Sequence, residues 1–91
     1  MAEIIKADGT RTTVVPDNGK TFKLEQCQKI VGGLIEVLYL PGRKVMILNE
    51  EGKVHGLPRN DVASETTKGS GLMPGDYIVG DVLVCDNKEF K

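Results

Sequence analysis

Apolar positions along this chain fall in short runs, separated by Gly, Pro, Asp and Asn. Residues 2–7 (AEIIKA) and 11–15 (RTTVV) are β-prone runs around Asp8-Gly9, a dipeptide that closes hairpins because it tolerates positive φ. Pro16-Asp17-Asn18-Gly19 then ends the second run and turns the chain. In KLEQCQKIVGG (23–33) the period changes. Leu24, Cys27 and Val31 stand at i, i+3 and i+7 with Ile30 alongside, which predicts a two-turn helix with one apolar stripe. Gly32-Gly33 is its stop, and Thr21 is a better starting cap than Lys23.

LIEVLYL (34–40) and KVMILN (44–49) flank Pro41-Gly42-Arg43 and predict a second hairpin. Both runs are apolar at nearly every position, the pattern of strands covered on both faces. One short helix cannot supply both covers, so a second subunit is expected over part of the second face. EEGK (50–53) turns the chain again, and VHGLP leads into NDVASETTK, a weak short helix with Asn60 as N-cap. KGSGLMPGD (68–76) reads as a surface loop, flexible or shaped by contact. YIVGDVLVC (77–85) reads as a late strand pairing with the central hairpin, its Gly80 marking a bulge or a close backbone approach. The fold class expected is α+β: one small domain over residues 1–91, with a mostly antiparallel sheet of about five strands and one or two short helices.

Composition sharpens this picture. There is no tryptophan, and the four aromatic residues are Phe22, Tyr39, Tyr77 and Phe90, so the core is aliphatic and thin for 91 residues. Self-association is a natural way for such a chain to gain buried area. Twelve basic and 13 acidic residues and a pI of about 5.8 lack the basic footprint of a DNA or RNA binder. Two cysteines far apart and one histidine are too few for a disulfide scaffold or a metal centre. Cys27 and Cys85 read as buried free thiols, in keeping with a reducing, cytoplasmic setting. MAEIIKADG holds no apolar leader core, and no segment approaches the ~18 apolar residues of a membrane span.

Chemistry-bearing residues are sparse. His55 is the one candidate base and has no nucleophile or orienting group in a recognisable pattern, and the adjacent Glu50-Glu51 read as a solvated turn. GSGLMPG matches neither phosphate-binding glycine motif. The expectation is no enzyme, no cofactor and no metal. Glu36 and Asp81, inside apolar runs, are expected to point outward or to cap a turn. NEEGKVHGLPRND (49–61) is richer. Pro58 stiffens the loop, and Arg59 offers a fork of donors beside a helix start, an arrangement that favours an anion. Asn60 can cap that helix or contact a ligand. Arg43 from the other hairpin tip, Tyr39 or Tyr77 as a stacking face, and His55 complete the candidate ligand-binding set.

Val31-Gly32-Gly33 leading into Ile35-Glu36-Val37, then Asn49-Glu50-Glu51-Gly52-Lys53, Gly56-Leu57-Pro58 with Asn60 and Ala63, and Ile78-Val79-Gly80-Asp81-Val82-Leu83 form an ordered set over most of the chain. That set resembles a family of short proteins of phages and other mobile elements, the domain of unknown function 3846. Lys23 departs from it, standing where a serine-type helix cap is expected. The resemblance implies a small non-enzymatic phage protein. One such role is a homo-oligomeric sponge whose pockets between subunits hold a small anionic, cyclic nucleotide signal of host immunity, silencing Thoeris- or CBASS-type defence. The rival expectation is a protein-interaction module that docks on and inhibits a host factor.

Overall fold

The computed structural model describes residues 2–67 and 76–90. Five strands form one antiparallel sheet, and two helices pack against it. The strands are β1 (Ala2–Ile5), β2 (Arg11–Val14), β3 (Ile35–Leu40), β4 (Lys44–Asn49) and β5 (Val82–Asp86). The helices are α1 (Leu24–Val31) and α2 (Asp61–Thr66). Both expected hairpins are present, but their strands are not hydrogen-bonded to each other. The sheet order is β2-β1-β5-β4-β3, so the last strand inserts between them and joins them.

The unbroken apolar runs follow from this position. Along β4, Val45 and Ile47 point to the face that α1 covers, where they meet Phe22, Cys27, Val31, Leu83 and Cys85. Met46 points to the opposite face, with Ile5, Val82, Ile78 and Ala63 of α2. A period-2 backbone with both faces buried needs apolar residues at every position. Within the chain, α2 and the segment before β5 cover part of the second face, while Leu38, Leu40, Leu48 and Val84 there are only partly buried.

The helix α1 is one turn shorter in its apolar stripe than the spacing predicts. Cys27 and Val31 are buried and Ile30 packs beside them, but Leu24 in the first turn is exposed. Thr21 is not the cap. The N-cap is Lys23, with no side-chain bond, because Asn18 Oδ1 takes the N–H groups of Lys20 and Thr21 and carries the chain past Thr21 before the helix starts. Gly32, in the left-handed region at φ 84°, ends the helix as expected.

The run 77–85 also differs from expectation, since β5 begins only at Val82. Gly80 at φ 77° takes the backbone out of the extended region. Residues 78–80 pair instead with the strap 58–60, through Asn60 N–H to Ile78 O at 2.8 Å and Gly80 N–H to Pro58 O at 2.7 Å. A close approach accounts for the glycine, because a Cβ on Gly80 would stand 2.9 Å from Leu57 Cδ1. Asp81 caps a turn, accepting Ala7 N–H at 3.0 Å, and Glu36 lies exposed on β3. The glycine-rich stretch 68–76 lies, except for Asp76, outside the described residues.

The outer strands differ in chemistry. In β2, Arg11, Thr12 and Thr13 are exposed, and Arg11 Nη1 pairs with Glu3 Oε1 of β1 at 2.6 Å. β3 carries Leu38, Leu40 and Tyr39, with Glu36 as its one charge.

Cys27 and Cys85 are free and buried on the α1 face. Burial pushes both thiols up, and Cys85, with the Glu89 carboxylate adding to burial, reaches about 12. Neither thiol is expected to react with a disulfide reagent near neutral pH in the folded chain, and both react once denaturant is added. A raised folded-state pKa contributes stability that is fully present below the unfolded thiol's value of about 8.5 and is lost as pH rises toward the folded value. The urea midpoint is therefore expected to fall above that pH, and to fall less in Cys85→Ala; an equal fall in both chains would refute the assignment. No helix among the described residues is long and apolar enough to cross a membrane.

Candidate functional site

The loop that follows β4 holds its own shape. Gly52 N–H donates to Asn49 O at 3.2 Å, His55 N–H to Glu51 O at 3.0 Å, Gly56 N–H to Lys53 O at 3.2 Å and Leu57 N–H to Gly52 O at 3.0 Å. Asn49 ties the loop to α1, with Nδ2 donating to Val31 O at 3.2 Å and Oδ1 accepting Glu51 N–H at 2.8 Å. The strap 58–60 then pairs with 78–80, so Arg59 and Tyr77 issue from two anchored segments.

Three side chains converge there. Arg59 Cζ lies 4.8 Å from the centre of the Tyr77 ring, and Lys53 Nζ lies 4.5 Å from the same centre. These are cation–π distances, worth about 0.5–1 kcal/mol each at an exposed site. Each cation also has a carboxylate. Arg59 Nε meets Asp61 Oδ1 at 2.9 Å, and Lys53 Nζ pairs with Asp76. The Lys53 ammonium and the Tyr77 N–H together hold the Asp76 carboxyl below its usual value. Such exposed pairs contribute little in water and are readily exchanged for another anion.

Tyr77, Lys53 and Asp76 border a cleft of about 140 Å³, floored by Leu48, Ile78 and Val79 and rimmed by Glu36 and Glu50. Ligand pockets usually measure about 300–1,000 Å³, so this cleft is small for a whole ligand. The rim is acidic. An anion is therefore better placed over Arg59 and Lys53, outside the cleft, with only a neutral portion entering it.

The structure divides the expected residue set. Arg59 and Tyr77 are brought together. His55 is exposed in the same loop. Asn60 is fully buried and its amide is used inside the chain: Oδ1 accepts Ala63 N–H at 3.0 Å, and Nδ2 donates to Ile5 O and Gly80 O, both at 2.9 Å. It caps α2 and clamps three segments. Arg43 does not share the Arg59 site. It lies in the turn between β3 and β4 at φ 62°, beside Asp86, Asn87 and Lys88. The length of β4, roughly 17 Å at ~3.3 Å per residue, separates that turn from the Asn49 end where the cleft opens. Tyr39, 65% exposed, is at the Arg43 end, opposite Val45 in the ladder.

Lys53 and Asp76 were not legible as site residues. Lys53 reads as the end of an acidic turn, and no linear spacing brings it to a tyrosine 24 positions later. Only the pairing of 58–60 with 78–80 brings Tyr77 into reach. Among the described residues no group of three or more His, Cys, Asp or Glu could hold a metal ion.

A model of the family described as domain of unknown function (DUF3846) matches residues 2–91. No curated protein and no solved structure matches the chain.

Proposed function

We infer that this chain, which belongs to the family described as domain of unknown function (DUF3846), is a non-enzymatic binding protein for a small anionic ligand of nucleotide type. It works as a homo-oligomer and sequesters its ligand without turnover, in the manner of a phage protein that withholds a cyclic nucleotide signal from host immunity. The convergence of Arg59 and Lys53 on the Tyr77 ring carries this reading. Two cations on anchored backbone beside an aromatic ring are the preorganised donors that tight binding needs. Phosphate oxygens replace the Asp61 and Asp76 carboxylates on Arg59 and Lys53, and the sugar or base edge enters the cleft beside Tyr77.

A ligand that binds the folded state raises the melting temperature by mass action. A thermal-shift panel of linear and cyclic nucleotides is expected to give a rise with one class. Arg59→Ala is expected to weaken that ligand about 10–100-fold, the value of a charge-assisted hydrogen bond of roughly 1.5–3 kcal/mol. Because Arg59 is exposed and its partner Asp61 more so, the same substitution should change stability by less than about 0.5 kcal/mol. A flat panel with folded protein refutes the reading.

A second reading, docking on a host protein, is favoured by Val54, 82% exposed at the rim of the same cleft. It predicts no nucleotide response and a complex lost in Val54→Asp.

A further inference from the structure

Among the described residues no strand pairs with the outer edge of β3, and the register of that edge can be worked out. Glu50 N–H donates to Leu34 O at 2.9 Å, and these residues are opposite each other in the continuation of the β3–β4 ladder. Antiparallel ladders alternate between hydrogen-bonded and non-bonded pairs. Positions 34, 36, 38 and 40 therefore bond to β4, and Ile35, Val37 and Tyr39 aim their N–H and C=O groups outward. The other side of β4 agrees: Asn87 N–H donates to Arg43 O at 2.8 Å, which assigns the odd positions of β4 to β5.

We propose that the β3 edges of two copies of this chain pair antiparallel about Val37, joining two sheets into one of ten strands. Only one register uses all three outward residues of each copy. It sets Val37 against Val37 of the second copy and Ile35 against Tyr39 of the second copy. A shift of two positions in one direction sets Ile35 against Pro41, which has no N–H to donate. A shift in the other direction runs off the strand at Gly33.

The centred register also covers what β3 leaves bare. Tyr39 and Leu34 are 65% and 55% exposed, among the large apolar residues most open to solvent in the described part of the chain. In this register Tyr39 lies over Ile35 of the second copy, an aromatic–aliphatic cross-strand pair, and Leu34 lies over Leu40 of the second copy. Edge strands are normally guarded by lysine, proline or a bulge, and β3 has only Glu36. The opposite edge, β2, is short, polar and charged. Glu36 also rims the cleft beside Tyr77, and it faces Leu38 of the second copy, so pairing extends the wall of a cleft that measures only about 140 Å³ in one chain. This inference specifies the interface of the homo-oligomer in the proposed function and does not depend on the ligand.

Light scattering after size exclusion, without nucleotide, reads the prediction directly: the mass is expected at twice the 9.9 kDa of the chain. Tyr39→Lys is expected to weaken the dimer about tenfold or more, since two cross-strand pairs are lost per dimer, while Thr12→Lys on the β2 edge leaves it unchanged. Register is read by cross-linking. In the chain carrying both Glu36→Cys and Leu38→Cys the two sulfurs meet across a non-bonded pair, with Cα atoms about 4.5 Å apart, and oxidation links two chains through disulfides. Glu36→Cys alone sets the two sulfurs on a diagonal of about 7–8 Å and does not link. A wild-type chain that stays monomeric at high concentration overturns the proposal. So do a dimer indifferent to Tyr39→Lys, a dimer broken by Thr12→Lys, and linkage by Glu36→Cys alone. Failure of the nucleotide panel beside a confirmed dimer refutes the ligand and leaves the interface standing.

Discussion

Asn60→Ala is expected to destabilise the fold by about 4 kcal/mol in urea denaturation, a large share of the ~5–15 kcal/mol typical of a domain this size. The side chain is fully buried and makes three hydrogen bonds, accepting from Ala63 N–H at the start of α2 and donating to Ile5 O at the end of β1 and Gly80 O before β5. Each buried group left unpaired costs about 1–3 kcal/mol, and loss of the helix cap accounts for about 1 of that total. Asn60→Asp separates the roles. It keeps the acceptor for Ala63 but sets a carboxylate against two carbonyl oxygens, so at neutral pH it should cost at least as much as alanine. The pKa of that buried acid is raised in the folded state, so the stability it permits is present at low pH and lost as pH rises. Asn60→Asp should therefore be rescued in part by acid and Asn60→Ala should not. If both variants denature like the wild type, Asn60 is not the clamp described.

Gly80→Ala is expected to cost about 2–3 kcal/mol. Two effects add. The residue sits at φ 77°, where a side chain costs about 1–2 kcal/mol, and its Cβ would meet Leu57 Cδ1 at 2.9 Å, so the Leu57 side chain would have to shift. Leu57→Ala in the same chain removes the clash and leaves the backbone strain. The double variant should be more stable than the sum of the two single effects predicts, by about 1 kcal/mol in a double-mutant cycle. Strict additivity would mean that Leu57 and Gly80 are not in contact.

The elements that the sequence makes plain are those written in local chemistry. Asp8-Gly9 and Pro41-Gly42-Arg43 specify their hairpins, and Gly32 stops α1, because each turn or stop depends on one or two residues. Gly80 was legible as a bulge or a close backbone approach, although not that the Leu57 side chain is what approaches it. Three features escaped. The start of α1 depended on Asn18, whose carbonyl organises the turn that Thr21 was expected to leave free for a cap. The start of β5 depended on the strap 58–60, some 20 residues earlier, which competes with the sheet for residues 78–80. The site itself needed that same pairing. Arg59 was visible from its place beside a capped helix, but Lys53 became a neighbour only when Tyr77 was carried across. The separation of Arg43 from Arg59 was equally non-local, being set by which end of β4 each loop leaves.

The unequal edges of the sheet set the number of copies an assembly can hold. A sheet with two sticky edges can add chains at both ends and grow without limit, as fibres do. Here the β2 side presents Arg11 and a threonine pair, leaving the chain effectively monovalent along the strand-pairing direction. The proposed two-fold contact through β3 would use the same patch on both partners and leave none over, so growth would stop at the pair. Substituting Arg11 and Thr13 with valine would give the molecule a second valence. The expected consequence is turbidity and β-rich fibrils that the unsubstituted chain is not expected to form.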